Sequence, residues 1–196
     1  MGFLDPCAIE AMGFAHVGRR VRISDRASFH GAARISIGDD TRIDDFCVLS
    51  AGEGGIHIGR HVHIAVFCAL IGAERIDLDD FSGLSSRVSV YSSNDDYSGA
   101  AMTNPTVPAA FTRVTRAPVH IGRHVIVGSG SVILPGVTLH EGAAVGALSL
   151  VRRDCEAFGI YAGAPARRVG ERKRDLLALE PQLLAAERGH AAHDES

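Results

Sequence analysis

The side chains best suited to chemistry stand together in the middle of the chain, at Asn94, Asp95 and Asp96. They lie in the histidine-free segment 91–118, YSSNDDYSGAAMTNPTVPAAFTRVTRAP. An exposed aspartate has a pKa of about 3.9, against about 6.5 for histidine, so it is a weak general base unless burial raises its pKa. An aspartate can nevertheless bind and orient an ammonium group. The alternative is a solvated turn in which these side chains accept hydrogen bonds from nearby backbone amides.

An unusual spacing predicts the elements that hold this segment. Between residues 119 and 151 an aliphatic residue recurs at every sixth position. An α-helix requires a spacing near 3.6 and a half-buried strand a spacing of 2, so a spacing of six indicates short strands joined by regular corners and stacked as triangular coils. The aliphatic positions are Ile121, Val127, Ile133, Leu139, Val145 and Val151. Two residues before each of them stand the small or β-branched side chains that a narrow interior requires: Val119, Val125, Ser131, Val137, Ala143 and Ser149.

The first half of the chain shows the same spacing in four triplets. They are Val17, Ile23 and Phe29; Ile37, Ile43 and Leu49; Ile58, Ile64 and Leu70; and Leu78, Leu84 and Val90. The triplets are offset by 20 or 21 residues, so each early coil carries extra residues at one corner. The spacing then stops, and segment 91–118 is rich in Ser, Asn, Pro and Gly, which predicts a long loop that leaves the stack. A loop of this length inside a regular repeat is more often functional than accidental.

The composition fits one compact domain. The chain has 196 residues, of which 46% are hydrophobic and 22% charged, and its net charge of −3 gives no indication of nucleic-acid binding. The N-terminal sequence lacks the features of a signal peptide, and no apolar run approaches the roughly 18 residues of a membrane span, so we expect a cytoplasmic protein without membrane partners. The four cysteines are far apart and predict neither a zinc site nor disulfides. Cys47 and Cys68 stand at inward positions.

The last part of the chain predicts a helix. Four leucines form an approximate apolar stripe, at Leu176, Leu177, Leu179 and Leu183, and Pro181 is expected to break the helix or to begin a new one. The predicted organisation is therefore a β-helical domain, residues 1–170, followed by a helical tail, residues 171–196. We expect the tail to pack across the open end of the stack and to cover its unpaired backbone groups.

The repeats, together with the segments IGRHVIVGSGSVILPGVTL, VGALSLV and YAGAPARRV, resemble the hexapeptide-repeat acyltransferases, in particular the acetyltransferases that act on sugars. The resemblance covers roughly residues 15–170. It implies an all-β fold, a left-handed parallel β-helix with a protruding loop and a C-terminal helix, assembled as a homotrimer. It also implies that acetyl-CoA lies in the groove between neighbouring subunits, so that each active site is shared by two chains.

The same resemblance implies roles for individual residues. Ser129 would donate a hydrogen bond to the thioester oxygen as it becomes an oxyanion. The small residues that would let backbone amides approach the pantetheine arm are Gly128, Ser129, Ala147 and Ser149. The candidates for the coenzyme A phosphates are Arg152, Arg153, Arg167 and Arg168, each of which has the alternative of being a solvated surface charge. Many relatives have tryptophan where this chain has Ile126.

A second departure from the family concerns the acceptor. Related sugar O-acetyltransferases use a loop histidine as base, whereas this chain has no histidine between His63 and His120. An alcohol needs such a base, but an amine is nucleophilic once it is neutral. The resemblance therefore implies an N-acetyltransferase acting on a nucleotide-linked deoxyamino sugar for surface polysaccharide biosynthesis, with a sugar O-acetyltransferase as the alternative. The candidate catalytic residues are Asp95, Asn94 and Ser129, and the candidate substrate-binding residues are Asp96 and Tyr97.

Two other classes of protein stay open. Some similar β-helices are carbonic anhydrases that hold zinc with three histidines contributed across a trimer interface. This chain offers His57, His61, His63, His120, His124 and His140. Their positions in IGRHVHI and IGRHVIV are typical of exposed corners, and no acidic partner stands beside them in the sequence, so we expect no metal. The other class is a non-catalytic assembly scaffold, against which the regular glycines and the AGAPA ending argue.

Overall fold

The computed structural model describes residues 2–194, which wind into a β-helix with three sides. Each coil contributes one short strand to each of three sheets, in which neighbouring coils pair in parallel. The first sheet contains β1 (His16–Val17), β4 (Ile35–Ile37), β7 (Ile56–Ile58), β10 (Ile76–Leu78), β15 (Val119–Ile121) and β18 (Thr138–Leu139). The second contains β2 (Arg22–Ile23), β5 (Arg42–Ile43), β8 (His63–Ile64), β11 (Gly83–Leu84), β16 (Ile126–Val127), β19 (Ala144–Val145), β21 (Gly159–Ala162) and β22 (Arg167–Glu171). The third contains β3 (Ser28–His30), β6 (Val48–Ala51), β9 (Ala69–Gly72), β12 (Ser89–Tyr91), β17 (Val132–Ile133) and β20 (Leu150–Val151).

Inward-facing residues of successive coils stand directly above one another. Ile37 pairs with Ile58, Ile58 with Leu78, and Leu78 with Ile121, and all four are buried. The positions predicted to fill the interior two residues before a strand aliphatic are also buried, namely Val119, Val125, Ser131, Val137, Ala143 and Ser149. The predicted parallel β-helix of six-residue repeats is thus confirmed.

The predicted loop leaves the stack between the fourth and fifth coils. Although β12 ends at Tyr91 and β15 begins at Val119, β10 pairs with β15 and β12 with β17, so the coils stay stacked across the interruption. At the base of the loop, β13 (Ser93–Asn94) pairs antiparallel with β14 (Thr115–Arg116). This short ladder gives the residues after Asn94 a defined starting position.

A short helix, α1 (Pro6–Ala11), covers the first coil. The carboxylate of Asp5 caps it by accepting a hydrogen bond from the amide of Ala8 at 2.8 Å. Pro6 suits the first turn, where the missing amide would have no partner in the helix. Ile9 faces inward and is buried, and Phe14 packs against the same core. The N-terminal segment therefore covers the end of the stack.

The C-terminal helix, α2 (Leu176–Asp194), runs along an edge of the β-helix. Glu180 contacts His124 of the fifth coil at 2.7 Å, and Glu187 lies 3.3 Å from His61 of the third coil. The helix therefore passes alongside several coils, and the expectation that it packs across the open end is wrong.

Polar contacts of Glu180 and Glu187 position this helix, whereas most of the leucine stripe faces solvent. Leu177, Leu179 and Leu183 are exposed, and the helix continues through Pro181. The edge of the last coil is covered instead by β22, which pairs antiparallel with β21. None of the helices in the described part of the chain has the length and hydrophobicity that crossing a membrane requires.

The close spacing between coils leaves no room for a side chain at Gly38. A Cβ atom there would lie 2.6 Å from the carbonyl carbon of Gly59 and 2.8 Å from the amide nitrogen of Arg60, and these backbone atoms cannot move without shifting a coil. We expect Gly38→Ala to lower the free energy of unfolding by about 1–3 kcal/mol, the usual cost of overpacking. Gly83→Ala is the control, because its Cβ would meet the end of the Ile126 side chain at an ordinary 3.4 Å. Identical thermal denaturation of the two variants would contradict this prediction.

Candidate functional site

A groove of about 530 Å³ lies on the outer surface of the second sheet. Strand register sets its floor, because His63, Gly83 and Ile126 occupy outward positions on the neighbouring strands β8, β11 and β16. Since glycine has no side chain, this row has a notch between the imidazole of His63 and the side chain of Ile126, which is 40% exposed. A glycine inside a strand weakens it and often marks a place where another molecule comes close.

Three serines line the rim of the groove. Ser85 and Ser86 follow β11 and Ser129 follows β16, all at the corner between the second and third sheets. Ser129, the predicted oxyanion donor, is exposed at this corner. The sequence analysis did not identify Ser85 and Ser86. The available signal was Gly83, a glycine at a strand position immediately before Leu84 and these two hydroxyl groups.

A buried carboxylate fixes one wall of the groove. Asp44, whose side chain is 7% exposed, lies 2.9 Å from Nε2 of His63 and accepts a hydrogen bond from Nε of Arg42 at 2.6 Å. Burial opposes ionisation of Asp44, but the hydrogen bonds from His63 and Arg42 outweigh it and hold the pKa of this carboxyl below its usual value. The anionic carboxylate therefore orients the imidazole, whose second polar atom is Nδ1.

Arg172, in the segment between β22 and α2, contributes to another side of the groove. Its Nη1 atom donates hydrogen bonds to the carbonyl oxygens of His124 at 2.6 Å and Gly142 at 3.0 Å. Burial lowers the pKa of its guanidinium group from the usual arginine value. The groove thus combines an apolar wall, hydroxyl groups and a cationic side.

The acidic run lies at another corner, where the loop leaves the third sheet. The carboxylate of Asp96 accepts hydrogen bonds from the amides of Ser98 and Ala101, both at 2.9 Å. Hydrogen bonds from the side chain and amide of Ser98 hold the pKa of Asp96 below its usual value. The alternative of a solvated turn, in which side chains accept hydrogen bonds from nearby amides, therefore describes Asp96. Its contact with a substrate stays a prediction.

The neighbours of Asp96 are less constrained. Asn94 is half-buried and belongs to β13. Asp95 is also half-buried, and its carboxylate accepts one long hydrogen bond from the amide of Asn104, at 3.4 Å. Tyr97 is 86% exposed. Asp95 is thus the member of the run whose carboxylate is most available for another partner.

The predicted catalytic residues stand at two different corners of the triangular coil. Ser129 lies between the second and third sheets, whereas Asp95 lies where the chain passes from the third sheet back to the first. The groove of a single chain contains Ser129 and does not contain Asp95.

The arginines predicted to bind coenzyme A phosphates lie together near the last coils. One cavity of about 170 Å³ is lined by Arg152, Arg153, Arg167 and Arg168. Arg168 is paired with Glu156 at 3.2 Å and with Glu171. The other three make no ion pair within the described part of the chain.

The residues predicted to approach pantetheine lie between the groove and these arginines. Ala147 is exposed at the corner after β19, and Gly128 is half-buried at the same corner one coil earlier. Ser149 is 3% exposed, and its hydroxyl donates to the carbonyl of Gly146 at 2.7 Å and accepts from the amide of Gly163 at 3.1 Å. This hydroxyl belongs to the interior of the coil, which leaves Gly128 and Ala147 at the surface.

The histidines occupy several surfaces. His57 and His120 face outward on the first sheet, and His140 directly follows it. At the corner between the first two sheets, the rings of His61 and His124 stack on Phe81, with centroids 4.8 and 5.1 Å apart. The expected exposed corner is wrong for His124, which is buried and contacts α2.

Within the described residues, one group has ligand atoms close enough for a metal ion. It consists of Asp40, His61 and Glu187, whose ligand atoms lie within 4.8 Å of one another. The group contains one imidazole instead of three, and the guanidinium of Arg20 already contacts Asp40 at 2.5 Å. A cation would have to compete with this arginine.

Comparisons with known proteins agree with the architecture. The family model of the bacterial transferase hexapeptide, in six repeats, matches residues 118–153. A dTDP-4-amino-4,6-dideoxy-D-glucose acyltransferase from Escherichia coli is 54% identical over 180 residues, which cover 92% of this chain and 94% of that protein. The crystal structure of AntD, an N-acyltransferase from Bacillus cereus in complex with dTDP and 3-hydroxybutyryl-CoA, has a TM-score of 0.91 and 41% identity, covering 95% of this chain and 98% of AntD.

Further AntD crystal structures carry single substitutions. One replaces a serine and holds dTDP-4-amino-4,6-dideoxyglucose and coenzyme A, and another replaces an aspartate ten residues further along that chain and holds dTDP and coenzyme A.

Asp96 organises the first turn of the loop, so its replacement should loosen that turn. In Asp96→Ala the amides of Ser98 and Ala101 lose a charged acceptor, and we expect their hydrogen–deuterium exchange to become about tenfold faster or more. Asp95→Ala is the matched control, since within the described residues Asp95 accepts only the long bond from Asn104. Unchanged exchange at both amides in Asp96→Ala would mean that other contacts hold the turn.

Proposed function

This chain belongs to the hexapeptide-repeat acyltransferase family, and we propose that it transfers an acyl group from coenzyme A to the amino group of dTDP-4-amino-4,6-dideoxyglucose. The observation that carries the proposal is the nearly full-length likeness to an acyltransferase named for that sugar. The dTDP and coenzyme A ligands of AntD support the same pair of substrates. The donor is acetyl-CoA, and no metal takes part.

The reaction is a direct transfer without an acyl-enzyme. The neutral amine attacks the thioester carbonyl, whose oxygen becomes an oxyanion; the carbon–sulfur bond then breaks, and a proton from the amine ends on the sulfur of coenzyme A. Ser129, exposed at the rim of the groove, donates a hydrogen bond to the oxyanion. Asp95 orients the amine with Asn94 beside it, and Asp96 and Tyr97 contact the sugar.

We add Ser85 to the residues proposed to contact the reacting groups. The serine and the aspartate replaced in AntD are ten residues apart, and Ser85 and Asp95 have the same separation. Ser86 and Asp96 share that separation, but Asp96 already accepts two backbone amides in the loop. We therefore favour Ser85 and Asp95 as the pair that flanks the amine.

A homotrimer explains how residues at two corners serve one reaction. Ser129 and Asp95 lie at different corners of one chain. Association of two copies can bring the loop of one chain against the groove of the next, which gives three shared sites in a closed trimer.

The coenzyme lies along the corner that leads from the groove to the last coils. Gly128, Ser129, Ala147 and the backbone at Ser149 approach its pantetheine arm. Arg152, Arg153 and Arg167, which have no acidic partner in the described part of the chain, bind its phosphates. We place the enzyme in the cytoplasm, where its product would supply surface polysaccharide.

The choice between amine and alcohol tests the function directly. We expect kcat/KM for the dTDP-linked 4-amino sugar to exceed that for the matching 4-hydroxy sugar by about 10³-fold or more, because a neutral amine needs no base and the hydroxyl would lose the contact with Asp95. Thiol release from acetyl-CoA measures both rates. Comparable rates on the two acceptors would favour the O-acetyltransferase alternative.

Asp95→Asn tests the positioning of the amine in the same assay. We expect a fall in kcat of about 10²-fold, the usual cost of misplacing a reacting group. Asp39→Asn is the control, since Asp39 is a surface residue paired with Arg19 of the first coil. Full activity of Asp95→Asn would remove this role from the loop.

Gly83→Ala tests whether the notch holds the acceptor. The new methyl group fits the folded chain, since its contacts would be 3.4 Å to Ile126 and 4.0 Å to His63. We expect an unchanged thermal midpoint and an unchanged KM for acetyl-CoA, but a KM for the amino sugar nucleotide raised about tenfold or more. Wild-type kinetics would place the acceptor elsewhere.

A further inference from the structure

The row of outward residues that contains the notch continues toward the first coil with basic side chains. Register places Arg22 beside Arg42 on β2 and β5, Arg42 beside His63 on β5 and β8, and His63 beside Gly83. Because neighbouring strands are about 4.8 Å apart, Arg22 lies roughly 14 Å from the notch along the stack. The three side chains form a single line that ends at the groove, which we call the basic row.

The side chains of the basic row are held in place. The ring of Phe3 lies under both guanidinium groups, with 5.7 Å from the ring centre to Arg22 and 5.5 Å to Arg42. Asp44 bonds both Arg42 and His63. Arg22 has no acidic partner within the described part of the chain. The row therefore carries more positive than negative charge and is already ordered for an anion.

A separate group of arginines, which make no ion pair within the described part of the chain, lies on the other side of the groove. Arg152, Arg153 and Arg167 line the cavity near the last coils, whereas the basic row belongs to the first three coils. Both substrates of the proposed reaction carry a diphosphate between a nucleoside and the part of the molecule that reacts. Two cationic groups on opposite sides of one groove match two such substrates that meet in the middle.

We propose that Arg22, Arg42 and His63 bind the diphosphate of the nucleotide-linked acceptor, with its sugar over Gly83. This assignment rests on the proposed function and adds the binding site of the acceptor and its direction along the stack. Guanidinium groups bind phosphate oxygens with two parallel hydrogen bonds. Asp44 lies at Nε2 of His63, which leaves Nδ1, the other ring nitrogen, for a hydrogen bond with a phosphate group.

Binding measurements on the full chain test the basic row without requiring turnover. Calorimetric titrations with dTDP, thymidine and coenzyme A are compared for the wild type, Arg22→Gln and His63→Gln. We expect dTDP to bind each variant about tenfold more weakly or worse, because a charge-assisted hydrogen bond is lost. Thymidine, which has no phosphate, and coenzyme A should bind as they do to the wild type.

Matched controls come from the same coils. Arg19→Gln removes a surface arginine of the first coil, and His57→Gln removes an outward histidine that lies beside Asp77 on the first sheet. Both should bind dTDP as the wild type does. If they weaken dTDP binding as much as Arg22→Gln and His63→Gln do, a diffuse surface charge explains the effect and the basic row is not a site.

Three further outcomes would overturn the assignment. These are unchanged dTDP affinity in both variants, an equal loss of thymidine or coenzyme A affinity, and a change of oligomeric state in sedimentation, which would make the row a contact between copies. The proposed function fails separately, if the wild type releases no thiol with the dTDP-linked amino sugar. In that case, a dTDP affinity that falls in Arg22→Gln and His63→Gln would still show that the basic row binds the diphosphate.

Discussion

The narrow interior of the β-helix is the constraint on which the rest of this molecule depends. Each side of a coil has room for about two inward side chains, and close packing requires each of them to lie directly on its counterpart in the next coil, as Ile37, Ile58 and Leu78 do. Once the inward residues are in register, the outward residues are in register as well. The basic row and the notch at Gly83 therefore lie on one straight line of outward positions. The packing of the interior side chains sets the spacing along this line.

This coupling explains which features the sequence could predict. A six-residue spacing of aliphatic residues reports on inward positions, so the coils, the interior residues and the loop at 91–118 were predicted correctly. It says nothing about outward positions. In the sequence His57 and His63 look alike, since each precedes a buried isoleucine, and only the pairing of strands places His63 beside Gly83. Ser85 was missed for the same reason.

The path of α2 was mispredicted for a related physical reason. A search for apolar spacing found the leucines, yet the contacts that position the helix are made by Glu180 and Glu187, seven residues or about two helical turns apart. Polar contacts with a column of corner residues leave no apolar period in the sequence. The arginines near the last coils were predicted as individual candidates, but their grouping around one cavity required the antiparallel return of β22.

The covered ends of the stack have a consequence for how copies of the chain can associate. A coil that ends in bare strands offers a template on which another molecule can continue the same sheets, as in a growing fibril. Here α1 lies over the first coil, and β22 reverses direction at the last. The second sheet therefore offers no edge at this end on which another copy could continue it in the parallel sense.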